Sequence, residues 1–187
     1  NGWQPLYKGQ DVLSNINGSQ DIMRSSFEST KTPLHELLER AHSGKLQLPD
    51  FQRDWVWDDE RIRSLLASVS LCFPIGAVML LETGGTGVRL ASRPLNGVPG
   101  EAQLVEAESL ILDGQQRLTA LYQALWRQCA VHTRDLKNKP IRRWYYFDMK
   151  KAVNDGEDRM DAILSIPEDK VVRSAFGHGI LVDLRKP

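Results

Sequence analysis

The apolar positions of the chain follow two rhythms, and the switches between them mark its elements. Leu34, Leu37, Leu38 and Ala41 recur at helical spacing, with Thr32 read as the N-cap, Pro33 as the first helical residue and Ser43-Gly44 as the stop. Leu46-Gln47-Leu48 alternates as a short strand and meets Pro49, whose ring forbids a helix and demands an extended turn. Ile62, Leu65, Leu66 and Val69 give a second helix behind an acidic first turn, Asp58-Asp59-Glu60. Phe73-Pro74 ends it. The run from Ile75 to Leu81 has strand length, Thr83 to Gly87 is turn chemistry, and Val88 to Ser92 is expected back as the second strand of a hairpin.

Leu95 to Gly100 is another turn cluster, and Gln103 to Val105 is expected to form a short strand before the buried strand Leu110-Ile111-Leu112. That strand stops at Asp113-Gly114 and restarts as a helix whose face is Leu118, Leu121, Tyr122, Leu125, Trp126 and Cys129, running to about His132. Thr133 to Pro140 is charged and loop-like. Trp144 to Phe147 favours a strand, as does Ile163 to Ile166 before Pro167. Hairpins mixed with helices, without steady βαβ alternation, make the fold class α+β. Residues 1–30, rich in Ser, Asn, Gln and Gly, form an N-terminal arm, and residues 31–187 the domain.

Composition narrows the picture by exclusion. Lys plus Arg number 24 and Asp plus Glu 24, so no global field marks a nucleic-acid-coating protein, and DNA contact requires a local patch. Cys72 and Cys129 sit among apolar residues and read as buried free thiols of a reducing cytoplasm. No signal peptide and no apolar run of the roughly 18–20 residues of a membrane span is visible, so a soluble cytoplasmic protein is expected. The chain begins without Met, and its last apolar segment, Ile180-Leu181-Val182, has no visible partner, which suggests a piece of a longer protein.

The chemistry concentrates in two stretches. Asp113-Gly114-Gln115-Gln116-Arg117 places two amides and a guanidinium on the first turn of a helix, where free N–H groups and the macrodipole favour an anion such as phosphate. Gly114 permits a tight turn, Arg117 can fork two bonds onto phosphate oxygens, and Asp113 can cap the helix or hold a divalent cation. In Phe51 to Trp57 three aromatics alternate with polar residues, so a core-facing aromatic set would fix Gln52 and Arg53 as a second wall. His35, His42, His132 and His178 show no metal-ligand spacing, which argues against zinc or a His-Asn-His nuclease centre within the chain. His35, His42, Glu36, Glu39, Asp58, Asp59 and Glu60 read as solvated helix residues.

Leu48 to Trp57 and Asp113 to Thr119, with Phe73-Pro74-Ile75-Gly76 between them and Tyr145-Tyr146-Phe147-Asp148 after, resemble the signature motifs of the GmrSD-type restriction endonuclease N-terminal domain family. The likeness covers roughly residues 30–150. It implies a ParB/sulfiredoxin-like mixed sheet with flanking helices, and an NTP-binding, NTP-hydrolysing regulatory domain in bacterial defence against phage or foreign DNA. The implied cofactors are an NTP (ATP, GTP or CTP) and Mg2+. The implied partners are nucleotide, DNA and a His-Asn-His nuclease domain or subunit, with homo-oligomerisation left open. Carried over, the motif makes Asp113 (also the metal contact), Gln116 and Arg117 catalytic, with Gln52, Arg53, Gly114, Gln115 and Thr119 around the nucleotide. Two other readings stay open: a ParB-like nucleotide-switched DNA-binding module, and a nuclease on the same fold.

Overall fold

The computed structural model describes residues 29–85, 90–154, 158–174 and 179–185. The chain divides into Asn1–Lys31 and Thr32–Pro187. The arm expected over residues 1–30 lies, but for its last two residues, outside the described ones, as does His178.

The larger unit is built on a central strand, β1 (Leu46–Pro49), all four of whose residues are buried. It lies parallel to β4 (Ser109–Asp113) and antiparallel to β3 (Ser92–Arg93), while β2 (Met79–Glu82) pairs antiparallel with β4, so the sheet order is β2-β4-β1-β3. A strand covered on both faces cannot keep the alternation read for 46–48. Gln47 is therefore buried, and its amide donates to the carbonyls of Gly44 and Val105 at 2.8 Å each. Parallel pairing of β1 and β4 also explains why the expected hairpin is absent. The run beginning at Ile75 forms a strand only from Met79, and its partner is β4; of the return strand expected over 88–92, residues 88 and 89 lie outside the described set and Ser92, with Arg93, pairs with β1.

Helix α1 (Leu34–His42) begins one residue later than its sequence suggests. Pro33, at ψ 140°, is the N-cap in place of Thr32, and its carbonyl accepts from Glu36 and Leu37. Helix α2 (Asp59–Ser70) starts where expected, with the Asp58 side chain accepting from the Arg61 amide at 2.9 Å. Its Ile62, Leu65 and Leu66 join Leu46, Leu48, Ile111, Leu118, Leu121 and Tyr122 in one core. Each such side chain, fully buried, stabilises the fold by roughly 1.5–3 kcal/mol. Gln103 lies in a 3-10 turn, Gly100–Leu104, where a strand was expected.

After β4 comes α3 (Gln115–Leu121), shorter than its apolar spacing promises. It widens into a π turn over Tyr122–Trp126 and stops at Arg127, so the strand β5 (Val131–Arg134) replaces the last expected helical turn, Leu125 is exposed and Cys129 is only half-buried. Cys72 is likewise no buried thiol: it sits exposed with φ 56° in the turn that closes α2. His42 is exposed on α1 as expected, but it is not without contacts: its Nδ1 lies 2.8 Å from the Tyr122 hydroxyl and its ring is tilted against Trp126.

Strands β5, β6 (Pro140–Phe147) and β7 (Ile163–Pro167) form a second, antiparallel sheet, with a four-residue helix α4 (Met149–Ala152) after β6. The terminal apolar segment finds a partner after all, as β9 (Ile180–Asp183) against β8 (Val171–Arg173). The described elements are helices plus mixed sheets, an α+β fold. None of the described helices is long and apolar enough to cross a membrane.

Helix α2 ties the two sheets together, and Asp59 is the knot. Its carboxylate accepts from the Tyr145 hydroxyl at 2.8 Å and the Ser165 hydroxyl at 2.6 Å, which corrects its reading as a solvated charge. Burial first, and the Asp59 charge second, push the Tyr145 phenol far above its ordinary range, so it stays a proton donor. Arg63 adds bonds to the carbonyls of Ile163 and Met160 at 3.0 and 2.8 Å. Asp59→Ala, which strands two hydroxyls and keeps the helix cap, is expected to cost about 2–4 kcal/mol in denaturant titration. A loss under about 0.5 kcal/mol, the ordinary surface figure, would show that Asp59 is not a tie.

Candidate functional site

The strand-to-helix turn folds as it does because Gly114 adopts φ +91°, a conformation that L side chains rarely hold. A Cβ there would also stand 3.1 Å from Val78 Cγ2. Gly114 itself is the N-cap, with no side-chain capping bond, so Asp113 does not cap the helix. The first intrahelical bond runs from Leu118 N to Gly114 O at 2.9 Å, which leaves the amides of Gln115, Gln116 and Arg117 ahead of the helical ladder.

Opposite this turn lies the segment after β1. The two walls enclose a cavity of about 230 Å³ lined by Gln52, Arg53 and Trp57 on one side and Leu112, Asp113, Gly114, Gln115, Gln116 and Arg117 on the other. Seven of the eight residues expected to surround a ligand thus meet at one place. Thr119 does not line the cavity. One turn beyond Gln115, it is wholly buried with its hydroxyl unpartnered, next to Leu118, Ala120 and Leu121 in the core.

The amides serve as cross-links between the walls. Gln52 Nε2 donates to the carbonyls of Ile111 (3.3 Å) and Leu112 (3.0 Å), and Gln115 Nε2 donates to the Arg53 carbonyl at 2.6 Å. Gln116 bonds in both directions: its Nε2 donates to the Asp54 carbonyl at 3.0 Å and its Oε1 accepts from the Val56 amide at 3.0 Å. Gln115 is 5% exposed and Gln116 8%. Burial of a primary amide is tolerable only with such partners. Gln115 and Gln116 are therefore a pair of buried staples.

Aromatic anchoring is real but partial. Trp55 and Trp57 pack on the core, whereas Phe51 is 72% exposed, so the aromatic set read as facing inward loses its first member. Its place in fixing the loop is taken by Arg93 on β3, which donates to the Gln52 carbonyl at 2.9 Å and reaches the Asp54 carboxylate at 3.3 Å. Nothing in the two-residue strand around Arg93 signals that role.

The two motif arginines differ. The Arg117 guanidinium donates to the carbonyls of Ile75 and Ala77 (2.8 Å to the latter) and to Asp113 Oδ2 at 3.2 Å, and its head lies against Gly76, where an added Cβ would fall 1.9 Å from Nη1. Gly76 has φ +93°, so the glycine of the Phe73 to Gly76 motif both turns the chain and makes room for Arg117. Arg53 is exposed, and its guanidinium has no partner among the described residues. Among the lining residues Asp113 is the only acid, and among the described residues no three His, Cys, Asp or Glu side chains gather to hold a metal.

An α+β domain whose polar cavity is made by a Phe-Gln-Arg loop and an Asp-Gly-Gln-Gln-Arg turn is the class defined by fold and site. The chain belongs to the family described as GmrSD restriction endonuclease, N-terminal domain, whose model matches residues 34–174. It is also similar to an uncharacterized protein of Methanocaldococcus jannaschii, with 30% identity over 139 residues, 73% of this chain. The chain spans only 23% of that relative's length. No solved structure gives a significant match.

Proposed function

We propose that the cavity binds the phosphates of a nucleoside triphosphate and that the domain hydrolyses it, as the regulatory part of a DNA-directed restriction protein whose nuclease lies in another domain or subunit. The observation that carries this reading is the Arg53 guanidinium, which has no partner among the described residues, at the rim of a cavity whose far wall is the Gly114 turn with amides ahead of the helical ladder. Phosphate oxygens are the ligand that such a set recognises best: a planar cation on one side and backbone N–H groups on the other. At about 230 Å³ the cavity is smaller than the roughly 300 Å³ of common ligand pockets, so it would enclose the phosphate tail and leave the base outside.

In this reading Arg53 closes on the terminal phosphates, Gln115 holds the Arg53 backbone in place, and Arg117 braces the turn. Asp113 contributes one carboxylate. The donor set does not build a metal site of its own, so Mg2+ would enter already bound to the nucleotide. Thr119 has no contact role. A second reading, a nucleotide-held switch without turnover, is supported by Gln116, whose amide is already spent on Asp54 and Val56 and is not free to orient a water.

Calorimetric titration with ATP, GTP and CTP in the presence of Mg2+, followed by a phosphate-release assay, separates these readings. Binding and release of phosphate from at least one nucleotide is the expected result. Binding without release moves the reading to the switch, and heat from none of the three overturns both. Magnesium-dependent plasmid cutting lost in Asp113→Ala would instead mark a nuclease on this fold.

A further inference from the structure

With 24 cations balanced by 24 anions, any strong affinity for a polyanion has to come from a place where cations stand without partners. The β5–β6 hairpin is such a place. Along β5, Val131 and Thr133 point inward and Thr133 Oγ1 donates to the Trp57 carbonyl at 2.8 Å, which turns His132 and Arg134 outward. Register puts Arg142 opposite His132 on the same outer face.

The tip is braced from within. Asp135 Oδ1 accepts from the amides of Lys137 (2.9 Å) and Lys139 (2.8 Å), Asn138 sits at φ 63°, and Arg134 donates to Asn138 Oδ1 at 2.8 Å. The Asp135 carboxylate is thus occupied by the turn, and Glu168 is paired with Arg142 at 2.8 Å. The ammonium groups of Lys137 and Lys139 are exposed and have no partner among the described residues. Between them and Asp135 stands Leu136, 82% exposed at the apex, an apolar side chain that nothing in the described fold covers.

We propose that this hairpin grips duplex DNA, with Lys137, Lys139 and Arg134 on phosphates and Leu136 against the groove. The inference rests on the reading of the chain as a DNA-directed restriction domain and names the surface that makes the contact. A two-stranded ribbon fits a major groove about 12 Å wide. In that groove an exposed apolar side chain such as Leu136 can meet the thymine methyl groups.

The test is fluorescence anisotropy on a short labelled duplex across a salt series, with wild type, Lys137→Ala/Lys139→Ala, and Lys150→Ala/Lys151→Ala as control. The control lysines lie on α4, beyond the far end of β6, so roughly 23 Å of strand separates them from the tip. Wild type is expected to bind with affinity that falls as salt rises. The hairpin double variant should lose affinity about tenfold and flatten the log–log salt slope by about 2, with melting temperature and nucleotide binding unchanged and the control near wild type. Equal affinity of the hairpin variant and wild type overturns the surface assignment and leaves the DNA reading standing. Equal losses in both double variants overturn it too, by showing diffuse charge. Failure of wild type to bind any duplex overturns the surface and the DNA reading together, while nucleotide titration of the same preparation reports separately on the cavity.

Discussion

Arg117→Ala is expected to abolish phosphate release and to lower the melting temperature in the same protein. The guanidinium is mostly buried and serves two backbone carbonyls of the 75–77 loop as well as Asp113. Hydrogen bonds from a charged donor contribute about 1.5–3 kcal/mol each when the acceptors are left without replacement. The Asp113 pair adds little, since that carboxylate is largely in water. Because water reaches the Ala77 bond and takes over part of it, a net loss of about 2–3 kcal/mol is expected, or roughly 5–10 °C for a domain of this size. Activity must be read well below the variant's melting point, so that lost turnover is not lost fold. Arg117→Lys should recover part of the charge without the fork, and so part of the stability and little of the turnover. Turnover in Arg117→Ala equal to wild type would remove Arg117 from the site.

Arg53→Ala should do the opposite: a large fall in nucleotide affinity with no change in stability. Its guanidinium has no hydrogen-bond or ion-pair partner among the described residues, and surface substitutions of that kind stay within about 0.5 kcal/mol. A charged bond to phosphate contributes about 1.5–2.5 kcal/mol, so affinity should fall roughly 10- to 70-fold in calorimetry. An Arg53→Ala protein that binds nucleotide as tightly as wild type would mean the phosphates lie elsewhere.

Two arginines in near-identical sequence contexts, each preceded by glutamine, thus part company in the fold, and that divergence shows where sequence reading stops. The strand, turn and helix around Gly114 were legible because strand length, a Gly at the break and helical spacing all agree there. The cavity was legible as the meeting of two motifs. What local rhythm could not show was partnership across the chain: that β4 would pair parallel to β1 and displace the hairpin, that Asp59 would be taken up by Tyr145 and Ser165, or that the glutamines would spend their amides on the facing loop. Thr119, carried over by motif membership, lies apart from the other seven because one helical turn places it in the core. The helix ending was missed because Leu125, Trp126 and Cys129 continue an apolar rhythm past the π turn that breaks it.

The glutamine staples join residues 59 to 62 positions apart. Closing so long a loop costs entropy before any contact rewards it, so these bonds belong among the late events of folding. A chain emerging from the ribosome can form α1 and α2, whose hydrogen bonds are local, long before Arg53 has a pocket to face. On the nucleotide-binding reading proposed above, the ligand would meet a finished domain, and by binding only that state it would pull the last stage of maturation toward completion.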